Sequence, residues 1–385
     1  MKENWTYKKL GEVCESELGK TLNSKTDQGE LYHYLCAINI LWDKIDLSSL
    51  KQAKFKKEEL ERYSVKNGDL LVCEGGDIGR AAIWEKEEPI QYQNALHRIR
   101  FNGEILPRFC LLYLHHLKDI GTLDNNYGKG VTIKHLVKSS LLSIPIPVPP
   151  LPTQHRIVSE LDLLQSIIDK QQAQLKELDT LAQSVFYDMF GDPVENEKGW
   201  EVKRLGDLCD IIRGGSPRPI EQYLGGTIPW IKIGDATKGD DIYLHQTKEH
   251  IIEAGLKKTR FIHAGSLIFA NCGVSLGFAR IITFNGCIHD GWLAFDNISN
   301  EIGKVFLLKS LNYCTKYFRS IAPDGTQPNL NTSIMKSFKQ IIPPLALQKK
   351  YIDKIESIEK QKAAISQSIA ETQKLFDYTM DKYFG

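Results

Sequence analysis

The sequence predicts an α+β chain in which one module, a mixed globular part followed by a long helix, occurs twice. Three observations predict it. First, WTYKKLGEVC (Trp5–Cys14) returns as WEVKRLGDLC (Trp200–Cys209), with Trp, Lys, Leu, Gly and Cys in register. Second, PPLPTQHRIV through DMFG (Pro149–Gly191) aligns without a gap to PPLALQKKYI through KYFG (Pro343–Gly385), at a constant offset of 194. Third, short β-rich runs separated by turn glycines fill the space between these matches, as in a mixed fold. Chance does not hold one register over 43 residues, and the offset far exceeds the 20–50 residues of a solenoid repeat. The organisation is therefore a globular part over 1–150, a helix over 151–191, a linker over 192–199, a second globular part over 200–342 and a second helix over 343–385.

Composition supports folded domains. The 385 residues are 42% hydrophobic and 25% charged, enough for real cores and too varied for disorder or a coiled coil alone. No apolar run approaches a membrane span, and MKENWTYKKL lacks the apolar core of a signal peptide, so a cytoplasmic protein without a membrane role is expected. Eight cysteines without a C-x-x-C pair read as small buried hydrophobes in a reducing compartment. Net charge is +1 and no segment is strongly basic, which argues against a non-specific nucleic-acid clamp. A sequence-specific binder that shares its DNA with a partner needs less positive charge.

Each globular part carries a matching hairpin signal. VKNGDLLVCEGGDIGRAAIW (Val65–Trp84) parallels IHAGSLIFANCGVSLGFARI (Ile262–Ile281), both reading as strand, glycine-rich turn, strand. Strands are expected at Leu70–Val72, Ala81–Trp84, Leu267–Ala270 and Arg280–Phe284, and helices at Lys54–Tyr63, Leu106–Leu117 and Lys304–Ser310. GGDIGR lacks the Walker lysine and a following long helix, so it reads as a hairpin turn and not a phosphate cradle.

The two 43-residue matches read as long helices. Ile157, Leu161, Leu164, Ile168, Leu175, Leu178, Ala182, Val185 and Met189 alternate spacings of three and four, with Gln171 in the one gap. The second copy repeats the seam as Tyr351, Ile355, Ile358, Ile365, Ile369, Phe376 and Tyr383, interrupted by Lys362 and Thr372. Prolines stop helix upstream, and Gly191 and Gly385 are expected as left-handed caps. Such helices are about 55–60 Å long. One seam on each of two helices predicts that they pack together, with the polar interruptions setting register.

Several polar stretches exceed what a fold alone requires. RGGSPRPIEQYLGGTIPWIKIGD holds Arg213, Arg218 and Lys232, types that fork to guanine or neutralise phosphate, while Trp230 reads as core. Arg80 lies at the first hairpin turn and Arg280 is its expected counterpart. GTQPNLN offers Gln327, Asn329 and Asn331, which can pair with adenine edges, where the first copy has GKGVTIK. The halves share a scaffold and differ at their polar tips, as two recognition elements for unlike half-sites would.

Enzyme chemistry is not visible. There is no GxxxxGK[ST], no HExxH, no Cys/His cluster and no N-P-P-[YF]. Glu201–Lys203 form an E-x-K, but the repeat places Thr6 at the matching position. A coiled-coil scaffold with two protein-binding domains and no direct DNA role is the other reading of these features.

Taken together, the W-x-x-K-[KR]-L-G-[ED]-x-C openings, the G-S-P…I-P-W-I-K-I-G-D run, G-T-Q-P-N-L-N and the two P-P-L-x-x-Q helices ending F-G resemble a type I restriction–modification specificity subunit. The resemblance spans essentially the whole chain. The first half departs from it, with Gly19–Thr21 and Cys36–Asn39 in place of the G-S-P and I-P-W runs. The resemblance implies two α/β target-recognition domains joined by two long antiparallel coiled-coil helices, a pseudo-twofold body. It implies a chain that does no chemistry and carries no cofactor or metal. Its implied partners are double-stranded DNA with a bipartite gapped target, two DNA adenine methyltransferase subunits and restriction/translocase subunits. Candidate DNA contacts in the first half are Lys20, Arg80, Asn94, His97, Lys129 and Thr132. Those in the second half are Arg213, Ser216, Arg218, Lys232, Asn271, Arg280, Gln327, Asn329 and Asn331.

Overall fold

The structure is a computed structural model that describes residues 5–23, 25, 27–130, 134–236, 242–322 and 329–385. The chain divides into two compact units, residues 1–170 with 369–385, and residues 171–368. Each unit thus holds one globular part and a piece of both long helices.

The two units are built from sheets of the same strand order. In the first, Cys14–Leu18, Leu96–Phe101, Leu70–Cys73 and Ala81–Ile83 form one antiparallel sheet in that order. A second sheet runs Lys51–Phe55, Glu30–Leu35, Ile90–Tyr92, Ser64–Val65, and its middle pair is parallel. In the second unit the corresponding orders are Asp210–Arg213, Trp292–Asp296, Leu267–Ala270, Ala279–Ile282, with Tyr243–Leu244 added at the edge, and Glu249–Ile251, Leu224–Ile231, Gly286–Ile288, Arg260–Ile262. The middle pair of the latter, Leu224–Ile231 with Gly286–Ile288, is again parallel. The sequence repeat is therefore a repeat of topology.

Both expected hairpins form, and the helices expected near 106 and 304 run Pro107–Asp119 and Lys304–Tyr313. Pro107 occupies the first helical turn, where its missing N–H has no intrahelical acceptor in any case. The helix expected over Lys54–Tyr63 is different. Lys51–Phe55 is a strand paired with Glu30–Leu35, and only Lys57–Leu60 is helical. Ala53 and Phe55 face inward at a period of two, a pattern hidden by the surrounding lysines.

The repeated motif residues hold the frame. Thr6–Lys9 pairs with Pro145–Val148, and Glu201–Arg204 with Lys339–Ile342, so each W-x-x-K strand lies beside the strand that leads into a Pro-Pro pair. Lys8 pairs with Glu104 and Lys203 with Glu301. Leu10 and Leu205 are buried, and Cys14 and Cys209 each direct Sγ to the carbonyl of that leucine, at 3.1 and 3.3 Å. The recurring glutamine of P-P-L-x-x-Q makes the same three bonds in both units. Gln154 accepts from Leu106 N–H and donates to the Glu104 and Pro149 carbonyls. Gln348 accepts from Gly303 N–H and donates to the Glu301 and Pro343 carbonyls. Both glutamines are buried, so each long helix is bolted at its start to its own globular part.

The long helices are α1 (Leu151–Phe190) and α2 (Leu345–Phe384). Their seams face inward as the heptads predict, with Ile157, Leu161, Ile168, Ala182, Tyr351, Ile355, Ile358, Phe376 and Tyr383 all buried. In the second unit Gln171 donates to Ser368 Oγ at 2.7 Å, Lys362 meets Asp179 at 2.6 Å, and Phe186 packs edge-on to Tyr351. Residue numbers rise along α1 as they fall along α2, so the helices are antiparallel. In the first unit, Tyr383 donates to Glu160 at 2.6 Å and continues that order. The polar interruptions Gln171 and Lys362 thus find polar partners across the seam. Gly191 takes the left-handed φ of +75° and closes α1. Gly385 bonds to the Asp381 carbonyl at 2.9 Å without a positive φ, unlike the cap expected there.

The F-G ends are docking residues. Phe384 packs on Phe109 and Tyr113 in the first unit. Phe190 packs on Phe306 and Tyr351 in the second, where the Trp200 indole donates to its carbonyl at 2.8 Å. Each unit therefore buries the end of the helix that began in the other copy of the sequence repeat. All eight cysteines are free, and six are buried, as the sequence reading expects. Among the described residues, no helix is long and apolar enough to cross a membrane.

Candidate nucleic-acid interface

In the second unit, loops distant in sequence meet at one edge of the sheets. The Arg213–Arg218 segment follows the first strand of the five-stranded sheet, and His289–Gly291 precede the next strand in that sheet. Gly214 N–H donates to the Trp292 carbonyl at 2.9 Å, and Gly215 N–H to the Ile288 carbonyl at 3.0 Å. The approach is close enough to require glycine, since a Cβ on Gly214 would lie 2.2 Å from the His289 carbonyl oxygen. The hairpin turn that starts at Asn271 joins through its N–H to the Gly291 carbonyl, 3.0 Å, while Leu330 N–H donates to the Asn271 carbonyl, 2.8 Å.

Asp290 stands at the centre. Ser216 Oγ donates to its Oδ1 at 3.0 Å, Arg213 Nε donates to its carbonyl at 3.0 Å, and Arg218 lies 3.4 Å from Oδ2. His289 Nδ1 is 3.0 Å from Oδ1. The His289 imidazole is held below its ordinary pKa, first by burial and then by Lys232, Arg218 and Arg213, although Asp290 opposes this. Lys232 pairs with Glu249 and lies over the Trp230 ring, 5.6 Å from its centroid. Trp230 itself is core, as expected.

The first unit repeats the backbone part of this construction. Gly19 N–H donates to the Leu96 carbonyl and Lys20 N–H to the Tyr92 carbonyl, 3.2 and 3.0 Å. Glu74 N–H donates to Ala95, and Leu136 N–H to Glu74, at 3.0 and 2.7 Å. Asn94 Nδ2 donates to Thr21 Oγ1 at 3.2 Å, the counterpart of the Ser216–Asp290 bond. These bonds equate Gly19 with Gly214, Thr21 with Ser216, Glu74 with Asn271, Asn94 with Asp290 and Leu136 with Leu330. Asn39 and Asp235 correspond too, since each accepts the backbone N–H three residues earlier, from Cys36 and Lys232. Lys232 therefore has a cysteine as its counterpart. The backbone cluster is shared and its side chains are not.

The candidates of the sequence reading fall into three groups. Asn94, Lys129, Arg213, Ser216, Arg218, Lys232 and Asn329 lie at these loops and are at least partly accessible. Lys20, His97, Asn271 and Asn331 have internal partners instead. Lys20 is 5% exposed, and its ammonium reaches Glu59 at 2.7 Å and the Lys54 carbonyl at 2.9 Å. His97 is fully buried with Nε2 2.7 Å from the Leu136 carbonyl, and burial lowers its pKa. Asn271 is fully buried and donates to Asn329 Oδ1 at 3.0 Å and to the Leu330 carbonyl at 3.2 Å. Asn331 caps a short helix by accepting from Ile334 N–H. Arg80 donates to the Ala37 carbonyl at 2.7 Å, between the two sheets. Arg280 is not at the turn. It pairs with Ile268 within its strand, as Ala82 pairs with Leu71, and its guanidinium bonds to the Ala279 carbonyl. Thr132 and Gln327 lie outside the described residues.

Sequence reasoning missed Asp290 and His289. The one available signal was H-D-G directly before an apolar strand, which reads as an ordinary turn until tertiary contacts bring Ser216 to it. Arg108 was also missed. It pairs with Asp43 and with Asp162 on α1, at 2.7 Å for the latter, and so braces the first unit.

Comparison with known proteins agrees with this architecture. The sequence model of the "Type I restriction modification DNA specificity domain" family matches residues 2–180 and again 197–373. The chain belongs to that family and carries its domain twice. It is similar to the type I restriction enzyme MjaIX specificity subunit of Methanocaldococcus jannaschii, 23% identical over 99% of this chain and 92% of that one. A chain from a solved type I restriction–modification system has the same fold, with a TM-score of 0.64 and 20% identity over 99% of this chain and 98% of that one. So does the S subunit from M. genitalium, with a TM-score of 0.57 and 16% identity over 99% and 96%. The role of the chain is DNA target specificity, with catalysis left to other subunits.

Proposed function

We propose that this protein reads a bipartite gapped target in double-stranded DNA, one half-site per unit, within a complex. Two DNA adenine methyltransferase subunits and restriction/translocase subunits complete that complex, in the cytoplasm. The observation that carries this reading is the same loop cluster built twice on one backbone hydrogen-bond scheme with different side chains. A shared frame with unlike tips is what recognition of two unlike half-sites requires. The contacts we assign to DNA are Asn94, Lys129 and Thr132 in the first half, and Arg213, Ser216, Arg218, Lys232, Gln327 and Asn329 in the second. Arg residues suit guanine edges or phosphates, and amides suit adenine. Lys20, Arg80, His97 and Asn271 support the loops from behind, Asn331 caps the short helix that follows, and Arg280 stays within its strand. Near-neutral charge fits a subunit whose partners share the phosphate contacts.

The test is a methylome. Modified adenines are mapped in the host and again after deletion of this gene alone. Loss of one gapped, two-part motif is expected and names both half-sites. An unchanged methylome, together with no gel shift of duplex DNA by the chain plus methyltransferase, would leave a scaffold without a DNA role.

A further inference from the structure

The equivalence of Asn94 and Asp290 isolates one chemical difference between the two recognition halves. We propose that Asp290 selects one base of the second half-site, its Oδ2 accepting a hydrogen bond from an exocyclic amino group, cytosine N4 or adenine N6, in the major groove. This rests on the reading of the second unit as a DNA-recognition surface.

Three observations support it. Asp290 Oδ1 is already engaged by Ser216 Oγ at 3.0 Å, so the carboxylate is held in one orientation. Among the described residues, Oδ2 has only Arg218, at 3.4 Å, and that arginine side chain is 80% exposed. A guanidinium so loosely held passes readily to a DNA phosphate, which leaves Oδ2 as an open acceptor at the surface. Finally, a carboxylate cannot face a phosphate without repulsion. Duplex DNA offers it donors only on base edges, and in the major groove these are the amino groups of cytosine and adenine. Asn94, at the same backbone position, presents an amide that donates to Thr21 and can both donate and accept. The two halves would therefore differ in hydrogen-bond polarity at corresponding positions.

The test uses the full chain with its cognate methyltransferase and a panel of duplexes varied at each position of both half-sites. Asp290→Asn keeps the shape and turns one oxygen into a donor. Preference at one position of the second half-site should move from amino-bearing bases toward acceptor-bearing guanine or thymine. The change in discrimination should be roughly 5- to 150-fold, with the first half-site unchanged. A uniform loss across all bases would mean that Asp290 only positions Arg218, and would overturn the proposal. An unaltered base preference would overturn it too. Thermal unfolding checks that the variant folds. Should it not, Ser216→Ala frees Oδ1 and should weaken discrimination at that same position, and an unweakened preference there counts against the proposal. If the wild-type complex itself shows no bipartite preference, the underlying reading fails instead.

Discussion

Gln154 and Gln348 show how a single repeated side chain can fix a fold. Each is buried with both ends of its amide engaged, to a loop N–H, a loop carbonyl and the proline carbonyl at its own helix start. Replacing either with alanine leaves those buried groups unpaired, so each change should cost about 1–3 kcal/mol, measured by denaturant unfolding. The two variants should lose similar amounts because their surroundings match. Gly214 makes a different demand. Gly214→Ala places a methyl group against the His289 backbone, and should cost about 1–3 kcal/mol while displacing the Ser216–Asp290 contact. Target discrimination in the second half-site should fall with it, and the first should be unaffected. His97 gives the residue scale a pH dependence. Burial favours its neutral form, so its folded pKa lies below the ordinary 6.5. The unfolded chain then binds a proton that the folded chain refuses. Stability is fully present above about pH 6.5 and declines as pH falls below it, toward the folded pKa. His116 and His289 are depressed in the same direction by burial and add to the slope. His97→Gln should flatten the decline below about pH 6.5 in equilibrium unfolding.

At the scale of elements, the long helices combine an apolar seam with a polar section. Lys309 and Glu359 are almost buried and 3.1 Å apart, with Lys362 3.5 Å from the same glutamate and 2.6 Å from Asp179. Burying such charges recovers little net energy, but removing one partner strands the other. Lys309→Met alone should therefore cost about 2–3 kcal/mol, moderated because Lys362 remains, whereas Lys309→Met with Glu359→Leu should restore most of the loss. A double variant no more stable than the single one would show that the pair contributes attraction beyond its desolvation cost. At the constant offset of 194, Gln165 and Ile168 stand in the first unit where the second has Glu359 and Lys362, and Gln373 where it has Asp179, so the charged section is not repeated. The seam therefore distinguishes one helix pairing from its register-shifted alternatives, which a uniform leucine seam would not.

At the scale of the whole molecule, the prediction concerns spacing. On the proposed reading, the helices set the gap between half-sites. Inserting one heptad into each helix at matched seam positions keeps the apolar register and adds about 10 Å to each. The gap in the methylated motif should grow by about three base pairs, at 3.4 Å per step, while both half-site sequences stay the same. A four-residue insertion breaks the seam and should abolish methylation. Sequencing the methylome of each variant strain reads both outcomes, and an unchanged gap after heptad insertion would show that something other than the helices measures it.

How much was legible in the sequence follows from where each signal resides. The repeat, the two helices, their heptad seams, the paired hairpins and the family were all readable, because period and motif spacing are local properties of the chain. The repeated Trp, Lys, Leu, Gly, Cys and Gln residues were visible as a frame for the same reason. The Lys51–Phe55 strand was not readable, since its alternation is short and its partner lies twenty residues away. The candidate site was legible only in part. Arg213, Ser216 and Arg218 drew notice as polar residues in a glycine-rich run. Nothing in the sequence separated Asn271 or His97, buried and internally bonded, from side chains at the surface. Asp290 became visible only when the fold brought Ser216, Arg213 and Arg218 to it across more than seventy residues. The sequence by itself determined what kind of module repeats and which residues build its frame. The tertiary structure alone decided which polar groups are used up inside and which remain at the surface, because burial and hydrogen-bond saturation depend on loops that meet only in the folded chain.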